Sequence, residues 1–229
     1  FVRRMKRVFL RIREETGIAK QDGRIICNSR VPEKPLSAAA GLGFIGRNSL
    51  LISAEAGSWC VIGGLVFMLP SKQRDGIMQE SAQPAGTSEQ AGLEGAGSRV
   101  GLSMQPGGRC GQCRACVEAC PVQAIVSPGK VDLGRCLQAK LQHYSVLEES
   151  TAELLGNRIY GCDVCQEVCP ENQKKRTVLD ADKPDNPGAG IALSNILTCS
   201  PEAVRSFFKG TPMGMGWLDH RVFLRNALI

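Results

Sequence analysis

Apolar residues recur every three or four positions at the start of the chain, with arginine and lysine between them. They are Val2, Met5, Phe9 and Ile12. This spacing predicts an amphipathic helix over residues 2–16. Shorter apolar groups follow: "RIICN" predicts one strand, and "SLLIS" and "WCVIGGLVFML" predict two more, joined by a turn at Glu55, Ala56 and Gly57.

Two stretches lack such a pattern. "EKPLSAAAGLGFIGRN" is rich in small residues and predicts turns. Residues 71–109 contain many Gly, Ser, Gln and Ala and no aromatic residue, so they cannot bury much surface, and we expect a disordered insertion or linker. Helical spacing returns over residues 192–229, with turns near Gly210 and Gly214.

These patterns predict an α+β protein in four parts: residues 1–70, the insertion 71–109, a cysteine-rich part 110–172 and a helical C-terminal extension 173–229. Both ends of the chain fall within helical patterns without capping residues, and residue 1 is not methionine. We therefore expect a segment of a longer polypeptide.

Cysteine is unusually frequent, with 11 in 229 residues, and the net charge is +6. The cysteine count is odd, and most cysteines lie in C-x-x-C pairs that are too close for a disulfide framework. The sequence shows neither a signal peptide nor an apolar run of about 18 residues. We expect a cytoplasmic protein that does not enter membranes and that uses cysteine to bind metal.

The segment "CGQCRACVEACP" has the spacing C-x₂-C-x₂-C-x₃-C-P, which is typical of bacterial ferredoxins. Its cysteines are Cys110, Cys113, Cys116 and Cys120. In two-cluster ferredoxins, the first three thiolates of such a run bind one iron–sulfur cluster and the fourth binds the other.

A second motif, "GCDVCQEVCPEN", is one cysteine short of the full run. Cys136 lies between the two motifs and can supply the missing thiolate. We therefore predict two [4Fe–4S] clusters. The first would be bound by Cys110, Cys113, Cys116 and Cys169, and the second by Cys136, Cys162, Cys165 and Cys120.

Two zinc ribbons are the alternative, because C-x-x-C pairs also bind zinc. Zinc would explain neither the third cysteine of the first run nor the Cys-Pro pair that ends each motif. Two clusters with only thiolate ligands are typical of a module that transfers single electrons. Cys60 falls within a predicted strand, and we expect it in the core, where a free cysteine packs as a small hydrophobe.

The segment "GLGFIG" matches the G-x-G-x-x-G pattern of dinucleotide-binding proteins. That interpretation requires a strand before the glycines and a helix after them, whereas here "LSAAA" precedes and the predicted strand "SLLIS" follows. Dinucleotide binding is therefore disfavoured. The glycines still permit close approach of the backbone to a neighbour, for which a flat cofactor is one candidate.

Several of these segments together resemble the epoxyqueuosine reductase family. They are "EKPLSAAAGLGFIGRNSLLISAEAGSWCVIGGL", the first cysteine run, "GRC", "GNRIYGCDVCQEVCP" and the terminal "FFKGTP" and "FLRNALI". The resemblance implies an oxidoreductase that carries a cobalamin and two [4Fe–4S] clusters. It would reduce epoxyqueuosine to queuosine in tRNA, with electrons passing through the clusters to the cobalamin.

The resemblance also implies a fold and a site. Residues 1–70 would form a partial corrinoid-binding α/β domain, followed by a ferredoxin-like domain and the helical extension. The residues implied to lie against the corrinoid are Gly41, Gly43, Gly46, Arg47 and Asn48. The implied partners are tRNA and an electron donor that the sequence does not name, and the protein is expected to be a monomer.

Two departures from the family concern the catalytic acid and the start of the chain. The family has an aspartate, its expected proton donor, six residues before the glutamate of an E-R-P-L motif. Here that glutamate is Glu33, and Cys27 occupies the acid position. A thiol, with an unperturbed pKa of about 8.5, can also donate a proton. A substantial share of the family's corrinoid domain would precede Phe1, so we expect either a truncated chain or a paralogue.

Basic residues near the start offer some support for RNA binding. Residues 1–34 contain ten Lys or Arg and four acidic residues, and Arg3, Arg7 and Arg11 form a stripe that could contact phosphates. A solvated helix face would give the same pattern. The two histidines, His143 and His220, are assigned to no metal. The rival functions are a non-catalytic two-cluster electron-transfer protein and a zinc-stabilised RNA-binding module.

Overall fold

The computed structural model describes residues 1–28, 31–68, 106–173, 190–214, 216 and 218–229. Residues 71–105, most of the predicted insertion, therefore lie outside the described residues. Residues 106–109 are described and are not disordered: Gly107 is buried, and its amide donates to the Ile45 carbonyl at 2.7 Å.

Within its described residues, the first part of the chain contains two α-helices, a 3₁₀ turn (Lys20–Asp22) and four short strands. They are α1 (Val2–Thr16), β1 (Gly23–Ile26), α2 (Glu33–Ala39), β2 (Phe44–Ile45), β3 (Leu51–Ile52) and β4 (Gly64–Phe67). Helix α1 confirms the predicted amphipathic helix, and it ends at Gly17, which adopts the left-handed conformation at φ 68°. Phe9 is its buried residue and stacks on Phe67 with ring centroids 5.4 Å apart.

Helix α2 forms where the small-residue segment predicted only turns. Pro35 lies within its first turn, where a missing amide costs little, and alanine is the strongest helix former. Ser37 and Ala38 are buried on its inner face. The prediction failed because the small residues are packing positions of a short helix.

The predicted hairpin is also wrong, because its two strands pair with other partners. β3 pairs with β2 and β4 pairs with β1, both antiparallel. The turn before Gly57 does form and is closed by a bridge between Ser53 and Gly57. Cys60 lies outside any strand and is exposed, so the expected core position is wrong. β4 begins at Gly64, after Cys60, and pairs along its length with the four residues of β1.

The cysteine-rich part consists of short elements. They are a 3₁₀ turn (Gly108–Cys110), α3 (Ala115–Ala119), β5 (Ile125–Ser127), β6 (Lys130–Val131), α4 (Leu137–Gln142), α5 (Glu149–Leu155), α6 (Val164–Glu167) and α7 (Pro170–Gln173). β5 and β6 form an antiparallel pair. The small core consists of Leu137, Leu141 and Leu155. Helices α3 and α6, which carry cysteines from the two motifs, pack together.

The C-terminal extension is helical, as its spacing predicted. It contains α8 (Leu193–Leu197), α9 (Pro201–Phe207), a 3₁₀ turn (Pro212–Gly214) and α10 (His220–Ala227). Its core consists of Ile196, Val204, Phe208, Leu218, Phe223 and Ala227. The mixture of helix and sheet confirms the α+β class. None of the helices in the described ranges is long and apolar enough to cross a membrane.

Candidate iron–sulfur site

The first predicted ligand set is brought together around Cys116. Burial raises the pKa of the Cys116 thiol, and three neighbouring cysteines raise it further. The three are Cys110, Cys169 and Cys113. The structure thus places Cys169 of the second motif among the cysteines of the first, which is the crossover expected of a two-cluster ferredoxin.

Three members of the second set lie together in the same way. Burial and neighbouring thiols, those of Cys162 and Cys136 included, raise the pKa of Cys165 to about 12. Cys116 also contributes, so the two groups are adjacent. The fourth member, Cys120, is held differently: its sulfur accepts a hydrogen bond from the Ala124 amide at 3.2 Å.

The thiols in each group are neighbours, but they do not converge on the position of a single metal ion. Within the ranges that the structure describes, no three His, Cys, Asp or Glu side chains are close enough to share one metal ion. A four-iron cluster is a larger body whose ligands bind separate irons. Seven thiols in two adjacent groups, together with Cys120 as the spacing assigns it, fit two such clusters.

Glycines shape the loop that presents Cys110 and Cys113. Gly107 and Gly111 flank Cys110 and have φ of 77° and 54°, which glycine adopts without steric strain. The Cys110 amide donates to the Gly107 carbonyl, and the Cys113 amide donates to the Cys110 carbonyl, both at 3.0 Å. The resulting tight turn places the two cysteines in neighbouring positions.

The predicted corrinoid residues Arg47 and Asn48 contact the cysteine-rich part. Arg47 Nη2 donates to the Gly111 carbonyl at 2.7 Å, and Asn48 Nδ2 donates to the Cys165 carbonyl at 3.3 Å. The Arg47 carbonyl accepts from the Gly129 amide at 3.0 Å. The resemblance implies that these two residues lie against a corrinoid, and the contacts seen in the structure join them to both cysteine motifs.

The three glycines of "GLGFIG" have different roles. A Cβ on Gly43 would overlap the Ile52 carbonyl, and one on Gly46 would lie 2.6 Å from Ile52 Cδ1, so both are required by packing against β3. Gly41, at φ 76°, has no atom of the described residues within 4 Å of such a Cβ. Helix α2 precedes the motif, so the order required for dinucleotide binding is absent from this segment.

Two observations fit a further group near this segment. The space beside Gly41 is open, and Arg47 Nε is buried with no hydrogen-bond partner among the described residues. Both would be explained by a polar cofactor edge beside the loop. A cavity of about 320 Å³ lies elsewhere, between the end of α1 and Ala19, and contains none of the predicted site residues.

Cys27 directly follows β1 and is half-buried. The next residue, Asn28, has a left-handed backbone with φ 51°, which is uncommon for a residue other than glycine. Residues 29 and 30 lie outside the described part of the chain. Cys27 is thus positioned at a sharp change of chain direction at the end of a strand, a common location for functional side chains.

Sequence analysis missed a buried polar contact between the first part and the second motif. The Ser58 amide donates to Asn172 Oδ1 at 2.7 Å, and Ser58 Oγ donates to Gln166 Oε1 at 3.0 Å. Lys34 was also missed: its Nζ donates to the Ser49 carbonyl at 2.7 Å, and burial lowers the pKa of the Lys34 amine. Nothing in the sequence pattern pairs these positions, because the partners of Ser58 lie more than a hundred residues away.

The segment before Cys162 is held by helix α4 and by the C-terminal extension. The Cys162 amide donates to Gln138 Oε1 at 2.9 Å. Burial raises the pKa of Tyr160. The ring of Tyr160 packs against that of Phe223, with the ring centroids 6.0 Å apart. Helix α10 thereby supports the backbone that presents the second motif.

Comparisons with known proteins agree with this geometry. Residues 109–172 match the 4Fe-4S double cluster binding domain, so this part of the chain is a double-cluster iron–sulfur domain. The chain is 31% identical to an epoxyqueuosine reductase from Shewanella oneidensis over 201 residues, which are 87% of this chain and 43% of the relative.

Two solved structures share the fold. The epoxyqueuosine reductase from Streptococcus thermophilus superimposes with a TM-score of 0.71 at 24% identity, covering 98% of this chain and 51% of that one. An epoxyqueuosine reductase crystallised with an epoxyqueuosine-modified tRNA stem loop gives a TM-score of 0.69 at 25% identity, with 99% and 52% covered. The chain is a relative of the epoxyqueuosine reductases, and it spans less than half the length of the curated relatives it matches.

Proposed function

We propose that this chain is an oxidoreductase of the epoxyqueuosine reductase type, acting in the cytoplasm to reduce epoxyqueuosine to queuosine in tRNA. The observation that carries the proposal is the placement of Cys169 of the second motif beside Cys110, Cys113 and Cys116 of the first. The alignment over 87% of the chain supports the same family.

The two clusters are assigned to the eight motif cysteines. The first set is Cys110, Cys113, Cys116 and Cys169, and the second is Cys120, Cys136, Cys162 and Cys165. Cys120 is the member with the least structural support, since its grouping rests on the ferredoxin spacing. Thiols must lose their protons to bind iron, so the raised pKa of Cys165 means that iron displaces its proton on assembly.

A cobalamin is assigned to the side of residues 41–48. Among the described residues, the space at Gly41 is open and Arg47 Nε has no hydrogen-bond partner, and both observations support the assignment. When bound, the clusters supply a path for single electrons and the corrinoid supplies the reducing metal. Gly43 and Gly46 keep this segment close to β3, while Arg47 and Asn48 hold it against the cysteine-rich part. Residues 41–48 would thus keep a bound corrinoid close to the two clusters.

Cys27 is the candidate proton donor for the oxygen that leaves when the epoxide opens. Its position in the sequence corresponds to the acid of the family, and a general acid at that point contributes roughly 10²–10⁴-fold to the rate. The basic face of α1, with Arg3, Arg7 and Arg11 all exposed, is the proposed contact for tRNA phosphates.

The test combines metal analysis with an activity assay. Protein reconstituted anaerobically with iron and sulfide should contain about eight irons and eight sulfides per chain. With cobalamin and a strong chemical reductant, it should convert epoxyqueuosine in a tRNA anticodon stem-loop to queuosine, as detected by mass spectrometry. An unmodified stem-loop serves as the negative control.

Two results would contradict the proposal. About two zinc ions per chain without sulfide would indicate zinc ribbons. Two intact clusters without cobalamin binding or conversion would indicate an electron-transfer protein that serves another enzyme.

A further inference from the structure

Two consecutive side chains of the segment before β3 reach the two cysteine motifs. Arg47 Nη2 donates to the carbonyl of Gly111, which lies between Cys110 and Cys113, and Asn48 Nδ2 donates to the carbonyl of Cys165. The Arg47 contact therefore falls in the loop that presents two ligands of the first cluster, while its neighbour contacts a ligand of the second.

Arg47 is fixed in place on several sides. Its carbonyl accepts from the Gly129 amide at 3.0 Å, and a Cβ on Gly107 would lie 3.0 Å from its Cγ. Its Nε is buried and has no hydrogen-bond partner among the described residues. Arg47 as a whole is half-buried and its bond to Gly111 is exposed. The guanidinium keeps its positive charge at any pH that a protein experiences.

The hydrogen bond also fixes the orientation of one peptide in the ligand loop. Gly111 has φ 54° and ψ −127°, a conformation available to glycine and strained for other residues. In a trans peptide the carbonyl and the following N–H point in opposite directions. By holding the Gly111 carbonyl, Arg47 also sets the direction of the Gln112 N–H within the same loop.

We propose that Arg47 is a positioning residue that raises the reduction potential of the first cluster relative to the second. Net charge and hydrogen bonding around the sulfurs are two determinants of the potential of an iron–sulfur cluster. A fixed positive charge stabilises the reduced, more negative cluster more than the oxidised one. Because the contact is made to the loop of Cys110 and Cys113, the effect is selective for the cluster that these cysteines bind. The inference rests on the proposed function only in requiring that both clusters are bound.

The test compares three variants by redox titration followed with electron paramagnetic resonance. Arg47→Met removes the charge and keeps an unbranched side chain, and Arg47→Lys keeps the charge. Arg114→Gln is the matched control. Arg114 directly follows Cys113, is exposed, and its Nε lies 3.8 Å from Glu118 Oε1. Unlike Arg47, which contacts the ligand loop from the first part of the chain, Arg114 is itself part of that loop. Cys136→Ala in each background identifies the first cluster as the one left intact.

We expect Arg47→Met to shift the potential of the first cluster to a more negative value and to leave the second unchanged. Arg47→Lys should stay near the unsubstituted protein, and Arg114→Gln should shift the first cluster less than Arg47→Met does. Iron content is measured in every variant, and where Arg47→Met binds less iron, Arg47→Gln replaces it in the comparison with Arg47→Lys.

Equal first-cluster potentials in the neutral and the lysine variants would overturn the proposal, as would equal shifts in Arg47→Met and Arg114→Gln. If the unsubstituted protein fails to bind two clusters, both this inference and the proposed function fail. If it binds both and the Arg47 variants keep its potentials, only this inference fails.

Discussion

Asn172 joins the first part of the chain to the second cysteine motif through a position that is 2% exposed. Its Oδ1 accepts from the Ser58 amide, and its Nδ2 donates to Ser58 Oγ and to the Gln166 carbonyl, both at 2.8 Å. Gly57, at φ 58°, leaves room for this side chain, since a Cβ there would overlap Asn172 Oδ1. The buried Asn172 side chain can therefore occupy this position only because residue 57 is glycine.

Replacing Asn172 should therefore destabilise the protein. Asn172→Ala leaves the buried Ser58 amide without its acceptor, which typically costs about 1–3 kcal/mol. Asn195→Ala, at an exposed position of α8, is the control and should change stability by less than about 0.5 kcal/mol. Urea denaturation followed by circular dichroism measures both. Equal stability of the two variants would mean that water replaces the amide.

The role of Cys27 can be tested by two substitutions. If its thiol donates the proton, Cys27→Ser should lower epoxyqueuosine conversion by roughly 10²–10⁴-fold while iron and cobalamin contents stay unchanged. If the thiol instead replaces a better acid, Cys27→Asp should raise conversion. Conversion that is unaffected by either change would show that the proton comes from another group.

Among the elements, α10 is the clearest link between the C-terminal extension and the cysteine-rich part. Arg225 Nη1 donates to the carbonyls of His143 and Ser145, both at 2.8 Å, and burial lowers the pKa of this guanidinium. Asn226 Nδ2 donates to the Ile159 carbonyl at 2.6 Å. These hydrogen bonds tie α10 to the backbone that follows α4 and to the backbone that precedes the second motif.

The start of α10 is capped by Asp219, whose carboxylate accepts from the Arg221 amide at 2.9 Å. Asp219→Ala should cost about 1 kcal/mol of stability, whereas Asp219→Asn, which can still cap, should cost less. Urea denaturation at neutral pH compares them. If alanine and asparagine cost the same, the ion pair with Arg221, and not the cap, is what matters.

The same carboxylate gives a pH dependence of known sign. Hydrogen bonds from the Arg221 side chain and amide lower the pKa of Asp219 from 3.8 to about 2. Because the folded state favours the charged form, the contribution is complete above the ordinary pKa and is lost as the pH falls through about 2. The difference between Asp219→Ala and the unsubstituted protein should therefore be constant from neutral pH down to about pH 5.

The elements also show what the sequence could and could not predict. Helix α1 and the C-terminal helices were predictable because their apolar spacing is helical and their turns carry glycine. Strand partners were not, since β3 pairs with β2 and β4 pairs with β1 through contacts that no local pattern encodes. The cysteine sets followed from spacing, whereas the contacts of Arg47 and Asn48 depend on how the parts dock.

In the whole molecule, the proposed ligand assignment gives each cysteine to one cluster, while each motif supplies ligands to both clusters. Cys136→Ala should reduce iron from about eight to about four per chain and leave one cluster signal in the electron paramagnetic resonance spectrum. Cys199→Ala, at an exposed cysteine outside both sets, should keep all the iron. Loss of both clusters in Cys136→Ala would show that neither assembles alone.

The contacts of Asn48 and Ser58 can form only late in synthesis, because their partners are translated more than a hundred residues later. Asn48 and Cys165 are 117 positions apart, and Ser58 and Asn172 are 114 apart. At a ribosomal rate of about 5–20 residues per second, the first part waits on the order of ten seconds for its partners to emerge. During that interval the surface that later docks is open to water and to chaperones, so nascent chains halted before Cys165 should be bound by chaperones more than chains released beyond Asn172.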